Sequence, residues 1–451
     1  LFRSDRCCLS AGISAQSSSR FGKDADGLRM FGVTWGLFPS LGAAWVISNE
    51  KWFPHTNAIN YLRLNAGYDV TGNDDIDYTA SRSYFVAHKM LGETVVSKTI
   101  GNIGNTNLRW ETTRRLSAGL EGNFFANRLN LRFNVFKSWT SGLPALRQLA
   151  WTSGMEQNWT CDGKLENAGF DVAATVKLMA RKNFDWEAGF SAGHYKNKVT
   201  ALPDNNKSIE TDIYGGTILT QVGQPVGVFY GYRTDGVYST AADAAADGNY
   251  IIKKNGNKEY FKAGDMRFVN MDESREINEN DRTIIGDPNP SLYGNIYTTL
   301  RWKKFTLRMT MNYSIGGDIY NYQRSMLEGG SLFLNQTTAM NNRWTTEGQV
   351  TDIPRISYND PMGNSRFSDR WIENGSYLRM SDITLSYHLP IQSTYLQGIT
   401  LYGSIGNLFT ITPYLGSDPD CAMQGSVLTQ GIDRGITGAG RTFSFGVNVN
   451  L

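Results

Sequence analysis

Cysteine, histidine and long apolar runs are all scarce in this chain, and each scarcity removes a class of protein. Four cysteines and four histidines form neither a CxxC pair nor an HExxH motif, so zinc-finger, redox and metalloprotease signatures are missing. No apolar run reaches the roughly eighteen residues of a membrane helix, which excludes helical membrane spans. The net charge of +2 is too small to indicate a protein that binds nucleic acid.

Aromatic residues, glycine and strand-like alternation are what the chain has instead. Aromatic residues make up 12% of it, and there are 47 glycines and 12 prolines. In the segment 441–451, small or polar residues alternate with Phe443, Phe445, Val447, Val449 and Leu451. One face of such a strand is apolar and the other polar. Because only that apolar face meets lipid in a β-barrel, the mean hydropathy of −0.37 agrees with one.

Twelve segments alternate in this way and are predicted to be strands. They are 9–16, 36–48, 60–68, 112–124, 129–139, 167–180, 185–199, 291–302, 305–315, 376–388, 398–411 and 441–451. Within 376–388 the apolar phase changes between Met380 and Ile383, which predicts a β-bulge with one extra residue near Ser381 and Asp382.

The connections between these segments alternate strictly between short and long. The long ones are 17–35, 69–111, 140–166, 200–290, 316–375 and 412–440. Outer-membrane barrels have short periplasmic turns and long outer loops, whereas sandwiches and propellers mix the two. The fold class predicted is therefore all-β, a transmembrane antiparallel β-barrel with extracellular long loops and a periplasmic C-terminus. A soluble β protein and a secreted adhesin are the rival interpretations.

Several motifs make the sequence resemble one known family along nearly its whole length. They include the segments 38–45 (FPSLGAAW), 107–113 (NLRWETT), 231–238 (GYRTDGVY), 281–290 (DRTIIGDPNP), 377–387 (YLRMSDITLSY) and 406–410 (GNLFT). The chain resembles the C-terminal part of a SusC/RagA-type TonB-dependent outer-membrane transporter of the Bacteroidetes.

This resemblance implies a barrel of 22 strands in outer-membrane lipid, with an N-terminal plug in its lumen. The twelve strands would then be part of the barrel, and the plug and the first strands would lie outside this sequence. It also implies TonB-dependent import of oligosaccharides or oligopeptides, with a SusD-like lipoprotein as lid and the TonB–ExbB–ExbD complex acting through the plug. The alternative is a self-contained 12-stranded porin or barrel enzyme.

One acidic loop is a candidate calcium site. Numbered from its first residue, the loop has oxygen-bearing side chains at the positions that a calcium loop needs. The candidate ligands are Asn270, Asp272, Ser274, Glu276, Asn278 and Asp281. The family's loops have acidic residues early and glycine at position six, where this chain has Arg275. A loop that keeps only its fold is the favoured interpretation.

Binding rather than catalysis is predicted for the remaining polar and aromatic residues. The scattered histidines and the absence of a GxSxG motif argue against an enzyme. Aromatic faces beside amide and guanidinium donors could bind a sugar ring or a peptide, although packing of the loops onto each other or onto a lid protein is the favoured interpretation. The candidate substrate-binding residues are Trp151, Trp159, Tyr320, Tyr322, Arg343 and Trp344.

Overall fold

The computed structural model describes residues 2–3, 6–54, 56–88, 97–155, 157–390, 396, 398–421 and 429–450. Strands dominate this part of the chain, and it has two short helices, α1 (Ala241–Asp247) and α2 (Tyr322–Glu328). None of the helices in these ranges has the length and apolar character to cross a membrane. Single 3-10 turns occupy Ile47–Asn49, Trp151–Ser153, Pro203–Asn205, Glu279–Asp281, Thr338–Asn342 and Asp369–Trp371.

The chain divides into two compact units. Unit 1 comprises Leu1–Ser208, Gln221–Gln224 and Gly294–Arg308, and unit 2 comprises Ile209–Thr220, Pro225–Tyr293 and Met309–Leu451.

Unit 1 begins with eleven strands, most of them in one antiparallel sheet. They are β1 (Phe2–Arg3), β2 (Cys7–Ser17), β3 (Leu28–Met30), β4 (Val33–Val46), β5 (Ile59–Asn73), β6 (Tyr84–His88), β7 (Ser97–Asn102), β8 (Glu111–Phe124), β9 (Leu129–Gln148), β10 (Gln157–Arg181) and β11 (Phe184–Ala201). The sheet order is β1-β2-β4-β5-β8-β9-β10-β11, with β3 paired to β4, while β6 and β7 form a separate hairpin.

Unit 2 carries several smaller sheets as well as long strands. The smaller sheets use β12 (Ser208–Ile213), β13 (Gly216–Gln221), β14 (Val228–Tyr232), β15 (Thr234–Val237), β16 (Tyr250–Ile252), β17 (Lys258–Tyr260), β18 (Met266–Phe268) and β19 (Arg282–Gly286). The remaining strands are β20 (Pro290–Trp302), β21 (Phe305–Gly316), β22 (Asp318–Asn321), β23 (Ile372–Asn374), β24 (Tyr377–Leu389), β25 (Gly398–Ile411), β26 (Ile432–Asp433) and β27 (Thr442–Asn450). The long strands run in the order β21-β24-β25-β27, and both β20 and β21 have residues in each unit.

The pairing of β9 with β10 shows how alternation builds the sheet. Phe133 lies opposite Val172, and Val135 lies opposite Phe170, so apolar side chains meet on one face. At the cross-strand pair between these two, Asn134 donates a 3.1 Å hydrogen bond to Asp171. Side chains of successive residues point to opposite faces, so the apolar and polar rows are kept apart along the whole ladder.

Each of the twelve predicted segments coincides with one of the long strands, and the largest error in their bounds concerns 140–166. Most of that segment, predicted to be a loop, extends β9 and β10. The register of the two strands is irregular between Thr160 and Lys164, and Gly142 has a positive φ of 75°. Such irregularities break the period of two, which is why the sequence pattern ends before the strands do.

The bulge lies at the predicted level, but the extra residue is in β25 and not in β24 as predicted. Met380 pairs with Phe409 and Asp382 with Gly406, so β25 has one residue more than β24 between these pairs. Asn407, inside that step, has a positive φ of 51°. The phase change along β24 instead reflects a change of face, because Met380 is buried and Leu385 is exposed.

The long connecting segments of unit 2 have cores of their own, which the sequence pattern did not reveal. One buried cluster contains Tyr238, Ala244, Phe261, Met266, Phe268, Ile277 and Met362. A second contains Ile218, Phe229, Tyr320, Trp371 and Ile432. Segments far apart in sequence therefore pack together as they do in a globular domain.

Buried charge in this unit is also paired over long sequence distances. Asp265 has no exposed surface, and its carboxylate accepts hydrogen bonds from Arg355 at 2.9 and 3.2 Å and from the Asn364 amide at 3.0 Å. A bidentate arginine provides the geometry that a buried carboxylate needs. This contact holds the 265, 355 and 364 segments together.

Replacing Phe229 by alanine tests whether these segments form a true core. Phe229 is fully buried, so we expect Phe229→Ala to lower the free energy of unfolding by about 3–5 kcal/mol. Phe333→Ala is the matched control, because Phe333 is 90% exposed and should change stability by less than about 0.5 kcal/mol. Denaturant unfolding of the purified protein in detergent measures both, and equal effects would contradict a packed core.

Candidate functional site

The loop that resembles a calcium site is closed by Asp281. Its side chain has no exposed surface. One carboxylate oxygen accepts a 2.7 Å hydrogen bond from the Met271 amide, and the other accepts a 2.9 Å bond from the Asn278 amide. Asn278 in turn caps the 3-10 turn, accepting a 2.8 Å hydrogen bond from the Asn280 amide. The last residue of the loop thus ties its two halves together through backbone hydrogen bonds.

Hydrogen bonds between residues close in sequence also hold the middle of the loop. Asp272 accepts a 3.0 Å hydrogen bond from the Ser274 amide. Hydrogen bonds from the Ser274 side chain and amide lower the pKa of Asp272 below its usual value. The Ser274 hydroxyl itself donates to the carbonyl of Glu276 at 3.2 Å. Asp272 and Ser274 are therefore engaged with each other and with the loop backbone.

Arg275 adopts the backbone conformation that glycine normally provides at position six. Its φ is +63°, and that of Glu273 is +60°. For residues with a Cβ this left-handed region costs roughly 1 kcal/mol or more. The loop therefore makes its sharp turn with a residue other than glycine at position six.

The donor set fits calcium poorly. Among the described residues, no group of three or more His, Cys, Asp or Glu side chains is placed to hold a metal ion. Positions one and five of the loop are the neutral Asn270 and Ser274, and calcium affinity depends on the number of charged ligands. The Asn270 amide is buried without a hydrogen-bond partner among the described residues, a situation that a water molecule ordinarily relieves.

Two of the aromatic candidates lie in the second buried cluster of unit 2. Tyr320 is 3% exposed, and its hydroxyl donates a 2.9 Å hydrogen bond to the carbonyl of Tyr214. Tyr322 begins α2 and packs against the same cluster, with its ring 5.2 Å from that of Tyr214. A substrate contact by Tyr320 stays a prediction, and it would require the cluster to open.

Arg343 and Trp344 support neighbouring backbone. The Trp344 indole donates a 3.1 Å hydrogen bond to the carbonyl of Ser239, and the ring covers Gly264 so closely that no Cβ would fit there. The Arg343 guanidinium donates to the carbonyl of Met340 at 3.1 Å. Both side chains are half-buried, so part of each surface stays open to a ligand.

Trp151 and Trp159 lie in unit 1. Trp159 packs against the buried cluster of Ile76, Ala80, Leu108 and Cys161. The backbone of Trp151 begins a 3-10 turn, and its side chain lies outside the described part of the structure. The substrate role of either residue stays a prediction.

Sequence reasoning missed a cavity in unit 1. It has a volume of about 290 Å³ and lies where β4 and β8 begin, next to the long segments 17–35 and 69–111. The NLRWETT segment, whose Arg109 and Trp110 line this cavity, could have indicated it. The principal lining residues are Asp26, Trp35, Gly36, Phe38, Arg109 and Trp110.

Comparison with known proteins identifies relatives of this chain. No family model matches the chain. The TonB-dependent receptor P3 of Formosa agariphila is 32% identical over 433 residues, which is 92% of this chain and 42% of that protein. The TonB-dependent receptor SusC of Bacteroides thetaiotaomicron is 26% identical over 448 residues, 96% of this chain and 41% of that protein.

The chain is a relative of the SusC-type TonB-dependent receptors. Among solved structures, the RagAB peptide transporter matches this chain with a TM-score of 0.79 at 21% identity. The match covers 99% of this chain and 46% of that one. The predicted resemblance is confirmed, and the fold is all-β with a large antiparallel sheet like that of the transporter. This chain spans less than half the length of each of these three proteins.

We propose that the acidic loop keeps its fold without a cation. Calcium titrated into the purified protein should give no binding heat, because too few charged oxygens converge. The variant Asn270→Asp/Ser274→Asp/Arg275→Gly restores the acidic pattern and the glycine, so it should bind calcium measurably. Isothermal titration calorimetry measures both. Wild-type binding that Asp281→Asn abolishes would contradict the proposal.

Proposed function

We propose that this chain is part of an outer-membrane transporter that imports oligosaccharides or oligopeptides in a TonB-dependent manner. The observation that carries the proposal is its relation to receptors named TonB-dependent, together with a fold shared with a transporter. The relatives are named as receptors or transporters, which agrees with the prediction that the chain is not an enzyme. The chain spans only part of them, so the activity of the whole protein is an inference.

Exposed apolar faces support a place in a membrane. On β27, Phe443, Phe445 and Val447 are 64%, 88% and 59% exposed, and their neighbours in sequence are small or polar. On β4, Leu37 and Leu41 are similarly exposed. A water-soluble sheet would cover such rows with a second layer, whereas lipid covers them in an outer-membrane barrel.

We further propose a SusD-like lipoprotein as the partner that covers the long segments. Unit 2 presents apolar side chains to solvent, among them Leu332, Phe333, Leu334, Val350 and Tyr358. Such residues on packed, ordered segments suit a protein interface better than a free surface. In this proposal TonB, ExbB and ExbD act through a plug that belongs to the same transporter. A self-contained porin would need neither partner.

Import is tested in cells that depend on the transporter for growth on an oligosaccharide or oligopeptide mixture. Removing TonB or the lid lipoprotein should abolish growth on that mixture and leave growth on the free monomers unchanged, because monomers pass through general porins. Copurification followed by mass spectrometry then shows whether the bound ligand is a glycan or a peptide. Growth that continues without TonB would favour the porin.

Orientation is tested by cysteine labelling in a Cys7→Ser background. Phe333→Cys, in the segment 316–375, should react with a membrane-impermeant maleimide on intact cells. Asn183→Cys lies in the short turn between β10 and β11 and is also exposed. It should react only after the outer membrane is permeabilised. Labelling of both positions on intact cells would refute the proposed orientation.

A further inference from the structure

Four short turns of unit 1 lie along one end of its large sheet. They join β4 to β5, β8 to β9, β10 to β11 and β20 to β21, and because neighbouring strands are antiparallel all four lie at the same end. Backbone hydrogen bonds tie neighbouring turns together. Phe125 donates to the carbonyl of Ala58 at 3.0 Å, and Lys303 donates to the carbonyl of Asn183 at 2.9 Å. The turns are therefore parts of one rim.

This rim carries positive charge that nothing in the fold neutralises. Its acidic residue, Glu50, already lies 3.7 Å from Arg6. The exposed basic side chains of the four turns and of the adjoining end of β10 form the basic rim, which consists of Lys51, Arg128, Arg181, Lys182, Lys303 and Lys304. In the part of the chain that the structure describes, none of these six cations has an ion-pair partner. Because the whole chain has a net charge of +2, the residues outside the rim have a small net negative charge.

The turn between β20 and β21 keeps its charge against the preference of its backbone. It consists of Lys303 and Lys304, and Lys303 has a positive φ of 53°. Two-residue hairpin turns normally place glycine, asparagine or aspartate in this left-handed region, because a residue with a longer side chain is strained there. The geometry of the turn therefore does not explain why two lysines occupy it.

Exposed aromatic side chains accompany the cations on the rim. Trp52, Phe125 and Trp302 are 65%, 60% and 56% exposed. The Lys303 ammonium lies 5.6 Å from the centre of the Trp302 ring. Aromatic rings next to the charged ends of lysine and arginine are typical of the boundary between membrane hydrocarbon and lipid headgroups. An acidic polymer in solution would match the cations but would leave the rings in water.

The rim also lies where an exposed apolar face ends. On β4, Leu37, Leu41 and Trp45 are exposed and share one face of the strand. The Trp45 ring lies 6.2 Å from that of Trp52, in the turn that follows, and Lys51 directly precedes Trp52. The apolar row, an aromatic pair and a cation thus follow one another along the chain, in the order of acyl chain, interface and headgroup.

We propose that the basic rim binds the headgroups of anionic phospholipids in the leaflet that borders it, an inference that rests on the proposed function. In the proposed orientation this is the periplasmic leaflet. The ammonium and guanidinium groups donate hydrogen bonds to phosphate oxygens, and the aromatic rings contact the first carbons of the acyl chains. A negatively charged membrane surface attracts each lysine or arginine near it. A phospholipid with a net negative charge is therefore preferred over a zwitterionic one.

Lipid preference is measured by native mass spectrometry of the purified transporter in detergent. The probes are dioleoylphosphatidylglycerol, dioleoylphosphatidylcholine and inorganic phosphate. Phosphatidylglycerol should bind at least about fivefold more tightly than phosphatidylcholine, because one additional contact between a cation and an anionic surface has an effect of that size. Inorganic phosphate should bind more weakly than phosphatidylglycerol, because it has no acyl chains for the aromatic rings.

Neutralising four cations of the rim should abolish this preference. The variant is Arg128→Gln/Lys182→Gln/Lys303→Asn/Lys304→Gln. All four side chains are exposed, so the substitutions leave the buried clusters unchanged, and asparagine suits the positive φ at position 303.

A matched control removes four positive charges from the long connecting segments. It is Lys23→Gln/Arg82→Gln/Lys207→Gln/Lys254→Gln, and these side chains are also exposed. The control should keep the preference for phosphatidylglycerol. The proposal is overturned if the two lipids bind equally, if both variants lose the preference to the same extent, or if inorganic phosphate binds as tightly as phosphatidylglycerol.

Photo-crosslinking in cells identifies what lies against the rim. A benzophenone side chain is introduced at Asn183, which is exposed between β10 and β11. Adducts with phospholipid support the proposal. Adducts with protein alone would instead identify an acidic protein partner and overturn it.

Growth on the oligomer mixture separates this proposal from the proposed function. A rim variant that loses the lipid preference and still depends on TonB for growth supports both. Equal binding of the two lipids by a transporter whose import depends on TonB overturns the lipid site alone. Growth of unaltered cells that does not need TonB overturns the proposed function, whatever lipid the rim binds.

Discussion

The structure depends on the antiparallel ladder that joins its long strands. Every backbone N–H and C=O within a hydrocarbon layer needs a partner, and adjacent strands are what provide it. The side-chain period of two follows from the same geometry, so a single pattern decides pairing, exposed face and polar face together. β10 and β11 show this pairing over most of their length. Their ladder runs from Leu165 to Arg181 of β10, with one register shift near Met179.

The connecting segments obey a different constraint. Away from the ladder, unit 2 is stabilised by buried clusters and by charges satisfied across long sequence distances, as at Asp265 with Arg355. The acidic loop likewise satisfies a buried charge within the protein, since the Asp281 carboxylate accepts hydrogen bonds from two backbone amides. Elements that look like loops in a pattern of alternation are therefore a packed structure, suited to hold a surface in shape.

The candidate sites differ in how far apart in sequence their residues lie, and this decides how much of each could be predicted. The acidic loop could be located from the sequence, because its hydrogen bonds and the turn at Arg275 lie within twelve consecutive residues. The aromatic candidates could be located but not interpreted. Whether Tyr320 or Trp344 faces a ligand depends on partners such as Tyr214 and Ser239, about a hundred residues away. The cavity at Trp110 joins segments near 26, 36 and 109, which no local pattern connects.

The sequence by itself determined the twelve strands, their two faces and the kinship with SusC-type receptors, because alternation and ordered motifs are local properties of the chain. Only the tertiary structure decided where β9 and β10 end, that the extra residue near Met380 belongs to β25, and that the buried Trp110 indole N–H has no partner among the described residues. Each of these depends on what lies across the sheet. Side chains distant in sequence set register, burial and hydrogen bonding, and a one-dimensional pattern does not contain them.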